Sequence, residues 1–140
     1  MAERMNNLTG KEWLQNSFSI WREIRKTAEE KALKHPAMFP SQLCEKLIDI
    51  YTRESGEVIL DPFLGAGSTL VAAKKKGRRG IGIELNPEYA ELATSRAQTA
   101  QASLDDFDGE ELVYFDQEIH VGDSRHVLAE LDADSVDLCI

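Results

Sequence analysis

The sequence predicts an α/β protein with a doubly wound, mostly parallel sheet. Three features indicate this class: apolar runs at 57–61 and 79–84 that are typical of buried strands, helix-forming stretches that separate the runs, and a glycine-rich turn at 61–70, "DPFLGAGSTL", directly after the first run. Strands that alternate with helices form parallel sheets, because each helix carries the chain back to the same end of the sheet.

Composition narrows the class of protein. The 140 residues carry a net charge of −9, with 42% hydrophobic and 29% charged residues, which suffices for one domain with a core. A protein that binds nucleic acid on its own is usually basic, so the acidic balance argues against that role for this chain alone. No apolar run reaches the roughly 20 residues of a membrane span, and the polar amino terminus lacks a secretory signal.

The two cysteines, Cys44 and Cys139, lie far apart in apolar stretches. This spacing favours buried, reduced thiols over a disulfide framework or a metal site. We therefore expect a cytoplasmic protein that binds neither a membrane nor a metal.

Helix signals divide the first 60 residues. Residues 9–34 are predicted to be helical, beginning at a capping box formed by Thr9 and Glu12, and the His-Pro pair at 35–36 ends the helix. We assign 1–34 to an N-terminal helical segment and 35–140 to the main part of the chain. A second helix is predicted to begin at Pro40, with Ser41 as its N-cap.

The remaining elements follow the first strand in order: a helix over 68–76 closed by Gly77, a strand over 79–84, a helix from Asn86 and Pro87 to about Gln101, a strand near 118–121, a helix over 125–131 and a last strand over 135–140. The acidic stretch 105–111 is predicted to be a solvated connection. The basic cluster 74–79 is predicted to mark a helix end, where cations complement the dipole, in preference to a phosphate site. Since the last strand runs to Ile140, we expect the chain to be part of something larger.

The turn at 61–70 is the strongest functional signal. Gly65 and Gly67 leave bare backbone next to the carboxyl end of the first strand, where ligands bind in sheets of this kind. Glu84 ends the second strand 23 residues after Asp61. This separation is near the offset of roughly 20 residues at which an acid meets the hydroxyls of a ribose. The pattern predicts a nucleoside cofactor.

The residues around the turn favour one cofactor. Leu70 stands where a dinucleotide fingerprint has its third glycine, which disfavours NAD and FAD. The acidic Asp61 suits a cationic ligand, and S-adenosylmethionine carries a sulfonium and an ammonium group. Asp123, after the third strand, is predicted to accept a hydrogen bond from an adenine amino group; capping of the next helix is the alternative for this residue, and the two roles are compatible.

Three motifs in order, HPAMFP at 35–40, DPFLGAGST at 61–69 and GIGIELN at 80–86, resemble the DNA amino-methyltransferases, which methylate the exocyclic amino group of adenine or cytosine. The resemblance covers about residues 35–140 and implies a Rossmann-like methyltransferase fold, of which the chain ends in the fourth strand. It implies that Glu84 binds ribose and that Asp123 accepts a hydrogen bond from the adenine amino group. His35, which lies between Lys34 and Pro36, is predicted to be structural in preference to catalytic. The full cofactor-binding set that it implies is Ala37, Phe39, Asp61, Pro62, Phe63, Gly65, Gly67, Ser68, Glu84, Leu85, Asn86, Asp123 and Ser124.

The family's catalytic motif, an Asp, Asn or Ser before Pro-Pro and an aromatic residue, is absent, because the sequence contains no adjacent prolines. We therefore expect no catalytic residue in these 140 residues, no activity of the chain alone, and contact with DNA through a missing C-terminal part, as in a restriction-modification enzyme. The alternatives are one chain of a split enzyme completed by a second polypeptide, a non-catalytic cofactor-binding subunit, and a nicotinamide-dependent dehydrogenase. Possible protein partners are a second polypeptide or, in a homodimer, another copy of the chain. The sequence leaves the choice of adenine or cytosine open.

Overall fold

The structure, a computed structural model, describes residues 4–33, 37–101 and 113–140. The predicted acidic connection at 105–111, and His35, lie outside the described residues. In chain order the elements are α1 (Gly10–Asn16), α2 (Ala28–Ala32), α3 (Ser41–Tyr51), β1 (Val58–Asp61), α4 (Ser68–Lys75), β2 (Arg79–Glu84), α5 (Pro87–Thr99), β3 (Gln117–Val121), α6 (Ser124–Val127), a 3-10 turn (Leu128–Glu130) and β4 (Leu138–Cys139).

The four strands form one parallel sheet in the order β3-β2-β1-β4. The chain moves outward from β1 through β2 to β3 and then returns to add β4 on the other side of β1. This reversal creates a switch point between β1 and β4, at whose carboxyl end α/β sheets bind their ligands. The predicted doubly wound α/β class is confirmed.

Two clusters of buried side chains hold the central strands against the helices. One joins α3 to β1 and α4 through Cys44, Ile48, Ile59, Ala72 and Ala73. The other joins the turn after β1 to α4 and α5 through Leu64, Leu70, Ala93 and Ala97. Because α4 contributes to both clusters, the helix that follows the glycine-rich turn is anchored on two sides.

The predicted continuous helix over 9–34 is wrong. Residues 17–27 are not helical, although the capping box of Thr9 and Glu12 is present at the start of α1. Thr27 and Glu30 form a second capping box, and this box begins a separate helix, α2. Between the two helices, the Arg25 amide donates to Gln42 Oε1 at 2.9 Å. Contacts with α3 therefore replace helical hydrogen bonds in this stretch.

The prediction that Ser41 caps α3 is also wrong. Pro40 occupies the N-cap position and makes no side-chain capping bond, while Ser41 is the buried first residue of the helix. The Ser41 amide instead donates to Glu30 Oε1 at 2.8 Å. The Glu30 carboxylate of α2 therefore caps α3, in place of the Ser41 side chain that the sequence suggested.

The last elements differ from their predicted lengths. The predicted strand over 135–140 narrows to Leu138–Cys139, and the predicted helix over 125–131 becomes α6 followed by a 3-10 turn. Cys44 is buried as expected, but Cys139 is exposed. The prediction of burial fails for Cys139 because β4 is the outermost strand of the sheet in the described residues. None of the helices in the described ranges has the length and apolar character of a membrane span.

Candidate functional site

Three acids follow three adjacent strands at one end of the sheet. Asp61 ends β1, Glu84 ends β2, and Asp123 lies two residues beyond the end of β3. The register pairs Glu84 with Val121, and the Gly122 amide donates to the Glu84 carbonyl at 2.9 Å. The predicted alignment of one acid after each strand is therefore realised at the carboxyl edge.

Asp61 is a buried anion with few donors. Its side chain accepts from the Phe63 amide at 3.0 Å and from the Thr69 hydroxyl at 2.6 Å, and the residue is only 7% exposed. Burial raises the pKa of Asp61 above its usual value, the negative charge of Glu84 adds to this, and the bonds from Thr69 and Phe63 offset only part of it. A cation bound beside Asp61 would stabilise the ionised form of its carboxyl group.

Glu84 ties two turns together. Its Oε2 accepts from the Gly65 amide at 2.7 Å, and its Oε1 accepts from the Asn86 amide at 2.8 Å. A carboxylate has about four lone-pair positions, so both oxygens can accept further hydrogen bonds. Glu84 thus holds the turn after β1 against the turn after β2 and still has acceptor capacity.

The two glycines of the turn have left-handed backbones, with φ of +56° at Gly65 and +83° at Gly67. Gly67 is the N-cap of α4, and a Cβ on it would lie 2.7 Å from the Cβ of Ala93 on α5. The bare backbone at Gly67 is therefore required by the backbone conformation and by the packing of α5 against the start of α4.

A small cavity of about 70 Å³ opens beside this turn. It brings together six of the predicted cofactor-binding residues: Ala37, Phe39, Asp61, Phe63, Gly65 and Ser68. The Ser68 hydroxyl donates to the Phe39 carbonyl at 2.7 Å, which fastens the stretch before α3 to the start of α4. The side chains of Phe39 and Phe63 are 57% and 81% exposed, so apolar surface faces solvent at the rim.

The other predicted residues do not line this cavity. Pro62 and Gly67 belong to the same turn, and Leu85 is 72% exposed just after β2. Asn86 caps α5 through a bond from the Glu88 amide at 2.9 Å, as predicted. Ser124 is the first residue of α6.

Asp123 caps α6, which confirms the capping interpretation. Its carboxylate accepts from the Arg125 amide at 2.9 Å and also pairs with the Arg125 guanidinium, whose Nη2 lies 2.5 Å from Oδ2. The guanidinium and the amide of Arg125 hold the pKa of Asp123 well below its usual range. A ligand at Asp123 would share the carboxylate with Arg125 or displace it.

Sequence reasoning missed two residues that support the turn. Thr69 donates to Asp61, and Arg96 on α5 donates to the Ala66 carbonyl at 2.6 Å. A signal for Arg96 was present in the sequence. Arg96 lies three residues after Ala93 and one before Ala97, on the apolar stripe of α5, where an arginine must have a buried partner.

A larger cavity, of about 560 Å³, lies elsewhere in the described part of the chain. It is bordered by Gln98 near the end of α5 and by Gln117 at the start of β3, which is the amino-terminal edge of a parallel sheet. Ligands of such sheets bind at the opposite edge, so we assign the site to the smaller cavity. Within 4–33, 37–101 and 113–140, no group of three side chains is suited to hold a metal ion.

The basic cluster at 74–79 is engaged within the protein. Lys74 and Lys75 lie in the last turn of α4, as predicted for a helix end. Lys74 Nζ donates to the Ala97 carbonyl at 2.7 Å, and Lys75 Nζ lies 3.1 Å from Glu45. These contacts favour the structural interpretation over a phosphate site.

Comparison with known proteins gives a consistent family. Residues 2–95 match the family described as DNA methylase, of the N6/N4 methyltransferase type. Type II methyltransferase M.ScaI of Streptomyces caespitosus is 37% identical over 95 residues, which is 64% of this chain and 31% of that protein. Type II methyltransferase M2.DpnII of Streptococcus pneumoniae is 44% identical over 80 residues, 56% of this chain and 30% of that protein.

A solved structure shares the fold. TTHA0409 of Thermus thermophilus, assigned as a DNA modification methylase and complexed with S-adenosyl-L-methionine, aligns with a TM-score of 0.55 and 33% identity over 83% of this chain and 39% of its own. The chain thus spans about a third of the length of the curated relatives that it matches. Since the family match includes β1, the glycine-rich turn and β2, the chain belongs to the N6/N4 DNA methylase family.

Proposed function

We propose that the carboxyl edge of the sheet binds S-adenosylmethionine and that the chain is the cofactor-binding part of a DNA amino-methyltransferase. The observation that carries the proposal is the buried Asp61, beside a glycine-rich turn and one strand from Glu84. Family membership supports it, as does the likeness to TTHA0409, whose structure holds this cofactor.

The cavity beside the turn suits the methionine end of the cofactor. Asp61 offers a carboxylate whose pKa is raised by burial, so a sulfonium or ammonium group supplies the charge that it lacks. Gly65, Ala66 and Ser68 border the same space. Phe63 and Phe39 cover it with exposed aromatic faces, which attract cations. Pro62 and Ala37 complete this part of the site.

The adjacent edge suits the adenosine. Glu84 has lone pairs available for two ribose hydroxyls, and a hydrogen bond to an ionised group contributes about 1.5–3 kcal/mol. Leu85 provides an exposed apolar surface on which a base can lie, with Asn86 beside it. Asp123 and Ser124 begin α6 one strand further along, where the carboxylate accepts from an amino group.

The bound cofactor supplies a methyl group on a sulfonium, and the family resemblance implies transfer to an exocyclic amino group of adenine or cytosine. The residues of this chain hold and orient the donor. The Pro-Pro motif and the surface that reads DNA are supplied outside the 140 residues, by further chain or by a second polypeptide. Such an enzyme acts on DNA in the cytoplasm, as a restriction-modification methyltransferase.

Calorimetric titration of the 140-residue chain with S-adenosylmethionine tests the proposal. We expect saturable binding that weakens at least tenfold in Glu84→Gln, which keeps the shape of the side chain and loses its charge. Glu91→Gln, an exposed acid on α5, is the matched control and leaves the affinity unchanged. NAD in the same cell is expected to give no heat of binding.

Three results would count against the proposal in different ways. Binding of NAD in place of S-adenosylmethionine would favour the dehydrogenase. Equal affinity of Glu84→Gln and wild type for S-adenosylmethionine would show that Glu84 does not bind the ribose. Binding without methyl transfer, after every polypeptide with a Pro-Pro-aromatic motif from the same cell is added, would favour a non-catalytic cofactor-binding subunit.

A further inference from the structure

Arg96 is a buried cation that the proposed cofactor site does not itself use. The residue is 6% exposed on α5. Its Nη1 donates to the Ala66 carbonyl at 2.6 Å and lies 3.4 Å from the Ser68 hydroxyl. Ala66 is the residue between the two left-handed glycines. One guanidinium therefore holds the middle of the glycine-rich turn and the first residue of α4.

The other arm of Arg96 points to the N-terminal segment. Its Nη2 donates to Glu30 Oε1 at 3.4 Å, and Glu30 is only 2% exposed. The Glu30 carboxylate also accepts from the Thr27 and Ser41 amides at 2.9 and 2.8 Å. Burial works to raise the pKa of Glu30, but these amides together with Arg96 outweigh it, and the pKa stays below its ordinary value. The Glu30 carboxyl is therefore ionised at neutral pH.

These contacts form a continuous path from α2 to the turn. Glu30 fixes one arm of Arg96, and the other arm fixes the Ala66 carbonyl, whose peptide bond leads into Gly67. The Ser68 hydroxyl that Arg96 approaches also donates to the Phe39 carbonyl, and both residues line the small cavity. The buried ion pair is thus linked to residues of the cavity from the turn and from the stretch before α3.

We propose that Arg96 and Glu30 are positioning residues that hold the glycine-rich turn in its ligand-binding form, so that the N-terminal segment sets the affinity for the cofactor. The inference rests on the proposed function, since it assumes that the turn binds S-adenosylmethionine. Neither residue contacts the ligand in this scheme. Both act through the Ala66 carbonyl and the start of α4.

Four variants of the 140-residue chain test the proposal. Arg96→Met removes the donors, Arg96→Lys keeps the charge without the two-armed geometry, and Glu30→Gln removes the charge that orients the guanidinium. Arg78→Met is the matched control. Arg78 is also a largely buried arginine, bonded to the Thr52 hydroxyl at 2.9 Å, but it lies at the amino-terminal edge of the sheet, away from the turn.

The readouts are the Kd for S-adenosylmethionine by calorimetry and the free energy of unfolding by urea. We expect Arg96→Met to raise Kd by about tenfold, within the roughly 5- to 150-fold range of coupling between sites. We expect Arg96→Lys to raise Kd less than Arg96→Met does, and we expect Glu30→Gln to raise Kd as well. A fifth variant, which combines Arg96→Met with Glu30→Gln, should bind S-adenosylmethionine no more weakly than Arg96→Met alone, because the two residues act along one path.

Two results would overturn the proposal: a Kd for Arg96→Met within twofold of wild type, or the same rise in Kd in Arg78→Met at a matched loss of stability. A wild-type chain that fails to bind S-adenosylmethionine overturns the proposed function instead. Hydrogen exchange of the Gly65 and Gly67 amides then decides the positioning role without ligand. Faster exchange in Arg96→Met than in Arg78→Met supports it, and equal exchange refutes it.

Discussion

At the scale of single residues, the site is defined by where charge is buried. Burial of Asp61 and the negative charge of Glu84 raise its pKa and disfavour its ionisation, and its two hydrogen-bond donors offset only part of this effect. Residues that are costly to keep charged are common where a protein receives an oppositely charged ligand. The raised pKa of Asp61 therefore has a measurable consequence for binding.

We expect the affinity for S-adenosylmethionine to fall as the pH is lowered from 7.5 to 5. A cation beside Asp61 stabilises the ionised carboxylate, so the ligand-bound form has the lower pKa and protonation of Asp61 at low pH opposes binding. Calorimetry across this range measures the effect. Asp61→Asn should bind more weakly and lose the pH dependence; an unchanged slope in the variant would assign the titration to another group.

The two cysteines should differ sharply in reactivity. Cys44 is fully buried, and burial raises its pKa to about 11, so the reactive thiolate is scarce and inaccessible. Cys139 is exposed on β4. Iodoacetamide at pH 8 should add one carboxamidomethyl group to the native chain, detected by mass spectrometry, and two in urea. Modification of native Cys139→Ser would contradict the burial of Cys44.

At the scale of secondary-structure elements, the junction of α4 with α5 determines the shape of the turn. Gly67 caps α4 in a left-handed conformation, and a Cβ added to it would lie 2.7 Å from the Cβ of Ala93. A helix start that must accommodate both constraints admits only glycine.

Gly67→Ala is therefore expected to lower the free energy of unfolding by about 1–3 kcal/mol, the usual range for a side chain forced into a disfavoured backbone region. Urea unfolding measures this value. Gly10→Ala is the matched control, because nothing lies within 4 Å of the added Cβ, and it should stay within about 0.5 kcal/mol of wild type or be more stable. Equal effects of the two changes would refute the packing argument.

Helix boundaries were the least predictable feature at this scale. The caps of α1 and α5 were predicted from Thr9 and Asn86, because their hydrogen bonds are local in sequence. The end of α1 and the cap of α3 were missed. Both depend on distant partners, Gln42 for the stretch after α1 and Glu30 for the Ser41 amide. No local pattern encodes hydrogen bonds that span 17 and 11 residues of the chain.

At the scale of the whole molecule, the carboxyl ends of the strands form the edge of the sheet at which we propose that the ligand binds. The order β3-β2-β1-β4 leaves that edge at the switch point beside β1. The proposed site is built from the stretch before α3, the end of β1 with the turn that follows it, the end of β2 and the start of α6, all of which belong to the described residues. Cofactor binding and methyl transfer are thus separable properties of the proposed enzyme.

The purified 140-residue chain is expected to bind S-adenosylmethionine and to transfer no methyl group to DNA. The sequence has no Pro-Pro pair, and the net charge of −9 opposes contact with phosphates. Incorporation of tritiated methyl into DNA measures transfer. Methyl transfer should appear when a polypeptide with the missing motif is added. Incorporation by the unaided chain would contradict the proposal that the chain binds the cofactor but needs an external motif for transfer.

The sequence by itself determined the fold class, the three acids at the strand ends and the glycine-rich turn. These follow from hydrophobic period, strand-to-helix alternation and glycine placement, which are properties of neighbouring residues. Tertiary structure alone decided that Arg96 and Glu30 support the turn, that Gly67 is required by Ala93, and that Cys139 is exposed. Such contacts join residues far apart in the chain, and only the packed sheet and helices bring their atoms within reach.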